Sequence, residues 1–137
     1  MTELIWIYTQ STGQLRYGTT LCGIGYSGKG KGKNNPAMEN VPLVGPIPSG
    51  LWEIDGPPRH TKEHGPYVLG LVPVLGTDAH GRTEFLIHGD SLTDPGEASE
   101  GCIIMPRVVR ERIWQSGCRR LQVVSGSKEE MNAHPTI

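Results

Sequence analysis

Glycine and proline punctuate this chain too often for long helices. Nineteen glycines and eleven prolines are spread over 137 residues. Each proline removes a backbone donor, and each glycine adds chain entropy that a helix interior must overcome. The chain is therefore expected to build short strands joined by many turns. Its length suits one domain covering residues 1–137, large enough to bury a core. Apolar residues make up 36% and charged residues 20%, the balance of a soluble globular protein. The formal net charge of -1 argues against nucleic acid or an anionic membrane surface as a partner. No apolar stretch approaches the roughly 20 residues that span a bilayer, so no membrane insertion is expected.

The apolar patterning fits that outline. Leu4 to Tyr8, Gln14 to Tyr17 and Thr20 to Ile24 read as three short strands, with a turn at Ser11 to Gly13. Leu51 to Ile54, Val68 to Val74, Thr83 to His88 and Leu121 to Val124 read as further strands. Gly25 to Pro36 and the proline-rich Asp55 to Pro66 read as loops. One helix is expected. Pro106 suits a first helical position, Val108, Val109, Ile113 and Trp114 recur at helical spacing, and Gly117 can close the helix in a left-handed conformation. The tail from 125 to 137 is polar and expected to fray.

Phe85 to Ile104 holds the chemistry. His88 ends an apolar run, and Cys102 directly follows Gly101. A thiol nucleophile needs a base for its proton and donors for the oxyanion, and no other stretch brings a thiol and an imidazole so close in sequence. An adjacent imidazole is expected to lower the Cys102 pKa below its free value of about 8.5. The competing reading is a buried structural cysteine beside a strand-end histidine. Gly101 before the thiol, the Ser99 hydroxyl and Gly89 after the histidine favour catalysis. Cys22 and Cys118 read as two buried thiols, with a disulfide between them as the alternative.

Three other patterns carry less. Gly23 to Lys29 fits the start of a phosphate-binding loop, but Gly30 stands where Ser or Thr must ligate magnesium. A flexible loop carrying Lys29, Lys31 and Lys33, able to border a site for an acidic substrate, is the better reading. His60 and His64 have zinc-ligand spacing only on a helix, and Pro57, Pro58, Gly65 and Pro66 argue for a solvated loop. His80 reads as a turn residue ahead of a strand at Arg82.

Ile87-His88-Gly89 followed by Ser99-Glu100-Gly101-Cys102-Ile103 resembles the signature of the L,D-transpeptidase catalytic domain, the YkuD-like superfamily. Tyr8 to Gly13, Gly25-Tyr26-Ser27-Gly28, Asn34-Asn35-Pro36 and Gly45-Pro46-Ile47-Pro48-Ser49-Gly50 resemble its small branch of type VI secretion effectors. The likeness runs from about Ile5 to Val124. Glu100 stands where most members have a second histidine, and Ile104 where they commonly carry arginine, so the acceptor side and the balance of hydrolysis and transpeptidation stay open. The resemblance implies a mainly β, YkuD-like sandwich with one short helix after the cysteine. It implies an L,D-carboxypeptidase or L,D-transpeptidase acting on peptidoglycan stem peptides next to the diamino acid. Cys102 would be the nucleophile and His88 the base. Amides near Gly101 and Cys102 would hold the oxyanion, and Ser99 or a carbonyl near Gly89 would orient the imidazole. Ser27, Lys29 and Glu100 would contact substrate. No metal or organic cofactor is expected.

Met1 to Tyr8 has no basic n-region, so no Sec signal peptide is expected. An antibacterial effector made in the cytoplasm fits, carried by a secretion machinery into a target's periplasm and paired with a cognate immunity protein. The alternatives are a cysteine peptidase or amidase with another substrate, and a catalytically inactive wall-binding module.

Overall fold

Trp6 and Tyr8 turn inward while Ile7 and Thr9 lie half-buried, the alternation of a strand. Trp6–Thr9 is β1 in the computed structural model, which describes residues 4–126. The other strands are β2 Gln14–Tyr17, β3 Thr20–Ile24, β4 Tyr26–Ser27, β5 Gly50–Thr61, β6 Gly65–Pro73, β7 Phe85–His88, β8 Ile103–Ile104 and β9 Arg120–Val124. All nine hydrogen-bond into one sheet, in the order β3-β2-β1-β9-β5-β6-β7-β8-β4. The β1–β9 and β7–β8 pairs are parallel and the others antiparallel.

The two ends of this sheet nearly meet. Its end strands β3 and β4 follow one another in the chain with only Gly25 between them. The Gly25 amide donates to the Gly13 carbonyl (2.8 Å), and a Cβ on Gly25 would overlap the Ile104 carbonyl. Glycine is what lets the chain step from one end of the curled sheet to the other. Inside lies a single apolar cluster that includes Trp6, Tyr8, Trp52, Leu69, Ile87, Ile103 and Leu121.

The expectation of a mainly β chain with one helix holds, and several boundaries move. The helix α1 runs Arg107–Gln115, with Pro106 capping it rather than occupying its first turn. Gly117 follows at φ 75°, the left-handed closure expected. The helix buries Val109, Arg110 and Ile113, whereas Val108, expected on the apolar face, is exposed.

Asp55 to Pro66 is not a loop. β5 continues to Thr61 and pairs with β6 through two register shifts. The first shift lies between Asp55 and Arg59, so Pro57 and Pro58 sit where the ladder is interrupted and no donor is needed. Tyr26 to Pro36 likewise holds the two-residue β4 and a 3-10 turn at Gly30–Gly32. Arg82 precedes β7 rather than lying in a strand. Ser125 is not frayed, because its carbonyl accepts from the Ser11 amide (3.2 Å); residues 127–137 of the expected tail lie outside the described residues. Cys22 and Cys118 are free thiols, half-buried against the core.

Candidate functional site

Two adjacent parallel strands bring His88 and Cys102 together. β7 and β8 pair Ile87 with Ile103 and His88 with Ile104. Ile87 and Ile103 face the core, so His88 takes the other face. Cys102, one residue before Ile103, falls on the His88 face, one strand across. Both side chains line a cavity of about 200 Å³, together with Glu84, Phe85, Glu100 and Gly101.

The imidazole is held on one side only. His88 is 2% exposed. Its Nδ1 lies 2.8 Å from the Gly89 carbonyl, which makes Nδ1 the protonated nitrogen of a neutral ring and leaves Nε2 a lone pair. Nε2 is buried with no hydrogen-bond partner among the described residues. Burial pushes the His88 pKa down to about 4, against the pull of the Gly89 carbonyl; His64 and Arg110 add to the depression, and Asp90 opposes it.

The thiol stands apart from the ring at rest. Cys102 Sγ makes its polar contact with the Glu84 carbonyl, at 3.7 Å. Burial pushes the Cys102 pKa up to about 11, with the Leu86 amide and Arg82 pulling the other way and Glu100 and Glu84 adding to the rise. The expected acidification by His88 is thus overturned: desolvation of the thiolate outweighs a neutral imidazole that does not bond to it. At neutral pH the pair is uncharged, with a lone pair on Nε2 and a proton on Sγ. Proton transfer between them becomes possible when the thiol turns from Glu84 to Nε2, since such contacts are often long in an empty site.

The loop carrying Cys102 is held by two serine hydroxyls bonded to backbone groups. Ser99 is fully buried. Its Oγ donates to the Cys102 carbonyl (2.6 Å) and accepts from the amides of Gly28 (2.8 Å) and Gly101 (3.1 Å). A hydroxyl has one donor and two acceptor positions, so Ser99 is saturated by these three bonds and is not the group that orients His88. Ser27 is buried as well. It donates to the Gly101 carbonyl (3.1 Å) and accepts from the Ile47 amide (2.9 Å), so its hydroxyl builds the site rather than reaching into it. Gly101 has φ 136°, where a side chain is strained, and a Cβ there would strike the Arg82 guanidinium.

Of the other residues expected to contact substrate, Glu100 is exposed and lines the thiol cavity. Lys29 is exposed, its amide bonded to the Val44 carbonyl (2.8 Å), and it lines neither this cavity nor the larger one described next.

Three residues stand at the site that the sequence did not place there. His64 lies at the tip of the β5–β6 hairpin, where its amide donates to Thr61 Oγ1 (2.9 Å). Its ring stacks on His88 with centroids 4.1 Å apart, so the loop position holds, but the side chain is half-buried against the site rather than solvated. Arg82 donates to the carbonyls of Glu39, Pro46, Gly45 and Glu100, tying the segment before β5 to the cysteine loop. Arg110, buried on α1, lines a second, larger cavity of about 1110 Å³ that also includes His64, His88 and Gly89. His80, read as a turn residue, also lies 2.9 Å from Glu39 Oε2 through its Nε2.

A family model for the Tlde1 domain matches residues 23–128. The chain belongs to the Tlde1-domain family. The matched range opens inside β3 and takes in His88, Cys102 and α1. Membership makes the chain a type VI secretion effector, consistent with an antibacterial role, and implies that it is secreted. No helix among the described residues of this Tlde1 domain is long and apolar enough to cross a membrane. No curated protein and no solved structure matches the chain.

Proposed function

We propose that this Tlde1 domain is a cysteine enzyme that cleaves the peptide stem of peptidoglycan next to its diamino acid, as an L,D-carboxypeptidase, an L,D-transpeptidase exchanging D-amino acids, or both. The observation that carries the reading is a buried imidazole anchored through Nδ1, with Nε2 unpartnered, on the same cavity as the Cys102 thiol. The Cys102 and His88 motif, its place on neighbouring strands, and the curled, mainly β sheet support assignment to the L,D-transpeptidase superfamily.

In this mechanism Nε2 of His88 takes the Sγ proton as sulfur attacks the carbonyl carbon at the L-centre of the diamino acid. The carbonyl oxygen becomes an oxyanion. The Gly101 amide is held by Ser99, so the Cys102 amide is the donor of that pair left for it. The tetrahedral intermediate expels D-alanine, whose nitrogen takes the proton back from His88. The resulting thioester passes to water, giving a shortened stem, or to the amine of a D-amino acid, giving an exchanged stem. In each case His88 accepts the proton of the incoming nucleophile and returns it to the departing sulfur.

The substrate lies outside the inner membrane, so the domain acts in the periplasm of target bacteria, and a cognate immunity protein protects cells that share the wall chemistry. Digestion of purified tetrapeptide muropeptides, with products read by mass, tests the reading. Loss of one alanine, or its replacement by an added D-amino acid, is expected. Unchanged muropeptides, with a protein or another amide cleaved instead, would move the domain to a cysteine peptidase or amidase of different substrate.

A further inference from the structure

Arg110 is 5% exposed, yet no carboxylate lies within ion-pair distance of it among the described residues. Its Nη1 donates to the carbonyls of Pro66 (2.9 Å) and Tyr67 (3.1 Å). Its Nε is buried with no hydrogen-bond partner among the described residues. A buried cation satisfied on one nitrogen is costly to keep. The atoms outside those two bonds, Nε and Nη2, form the edge that an arginine offers to a carboxylate side-on, with two parallel N–H···O bonds. Nη2 lies beside Gly89, close enough that a Cβ there would come within 3.0 Å of it. The carboxylate of Asp90, on the same cavity wall, is already taken up by the Tyr26 hydroxyl (2.6 Å) and the Ser91 and Gly96 amides.

The two cavities meet at His88. Cys102 lines the smaller and Arg110 the larger, while His64 and His88 line both. A substrate whose scissile carbonyl reaches Cys102 would place its leaving residue past His88, toward Arg110. We propose that Arg110 is the carboxylate anchor of this site, receiving the free C-terminal carboxylate of the leaving D-amino acid. The proposal rests on the stem-cleavage reading above and adds a specificity to it: the enzyme requires a free C-terminus next to the bond it breaks. A bond inside a longer peptide, whose leaving side has no carboxylate there, is a poor substrate.

The test uses two tetrapeptide stems that differ only at the C-terminus, one ending in D-alanine and one in D-alaninamide. Wild-type protein is expected to cleave the acid with a kcat/KM about tenfold or more above the amide, mostly through KM, as suits a charge-assisted hydrogen-bonded pair. Arg110→Gln should bring the ratio toward one, and Arg110→Lys should keep part of it. Both stems are run on the same preparation, so a misfolded variant lowers both rates and cannot mimic a collapsed ratio. Equal cleavage of the two stems by the wild type, or a wild-type ratio retained in Arg110→Gln, would overturn the anchor. Calorimetric binding of both stems to Cys102→Ala protein separates the two readings. Preferential binding of the acid with no turnover by the wild type leaves the anchor and removes the cleavage reading. Turnover without preference does the reverse, and equal binding with no turnover removes both.

Discussion

Ser99 illustrates how one hydroxyl can decide where a thiol sits. Its bonds to Gly28 and Gly101 are buried and that to Cys102 is partly so, and removing the oxygen leaves two amides and a carbonyl without these partners. Ser99→Ala is expected to lower stability by about 2–4 kcal/mol, visible as a Tm drop of roughly 10 °C, with Cys102 reactivity altered alongside. A melting curve unchanged within a degree would remove Ser99 from the scaffold of the site. The thiol itself gives a second prediction. With its pKa pushed up to about 11 by burial, Cys102 carries a proton at neutral pH. Alkylation by iodoacetamide should therefore be slow near pH 7 and rise toward pH 11. A half-maximal rate below about 8.5 would mean that the thiol is activated before substrate arrives. At this scale the sequence was partly legible. Cys102 and His88 stood out because a nucleophile and a base are scarce and close in the chain. Ser99 was expected to orient the imidazole and Ser27 to contact substrate, but a hydroxyl bonded to loop amides and one facing the site leave the same trace in a sequence.

The β5–β6 hairpin is where an element adds to the chemistry. Its tip carries His64 onto the His88 ring, so a connection between two strands covers one side of the imidazole. Burial is the main cause of the low His88 pKa, and His64 also adds directly to the depression. His64→Ala removes its own charge effect and its share of the burial, and the His88 pKa should rise from about 4 toward its ordinary value of about 6.5. The sign follows from the base being the neutral ring. In the wild type the base is present above about pH 4, so the acid limb of kcat/KM should move to higher pH in the variant. The His88 ring shifts followed by NMR against pH give the pKa directly, and a curve unchanged by the substitution would show that the stacked ring is not what keeps His88 neutral. The hairpin was misread from sequence for a physical reason. Pro57 and Pro58 normally argue against a strand, but the register shift between Asp55 and Arg59 gives them positions that need no donor. The two-residue strands β4 and β8 were too short to show any alternation. By contrast β2 and β3 were bracketed by the Ser11–Gly13 turn and by Gly18, and α1 by Pro106 and Gly117.

At the scale of the whole molecule, the near closure of the sheet brings together parts that no local pattern connects. Gly25 joins the two end strands, Ser27 and Ser99 fasten β4 to the cysteine loop, and Arg82 bonds carbonyls on two distant segments. These contacts depend on backbone carbonyls whose sequence is irrelevant, which is why Arg82 and Arg110 carried no signal in the chain. The proposed wall substrate also makes a compartment-dependent prediction for this secreted effector. Residues 1–137 expressed in the cytoplasm of a Gram-negative host should be tolerated, while the same chain fused to a cleavable periplasmic signal should deform or swell the cells. Equal toxicity from both compartments would point to a cytoplasmic target.

The central claim is that Cys102 forms the covalent intermediate. Its most direct test is D-alanine release from tetrapeptide muropeptides by the wild type and by Cys102→Ala, Cys22→Ala and Cys118→Ala, each checked for a native melting curve. Loss of a nucleophile removes several orders of magnitude of rate, so Cys102→Ala should fall to background while the other two retain most activity. Full turnover by a folded Cys102→Ala protein, or an equal loss in Cys22→Ala or Cys118→Ala, would contradict the account.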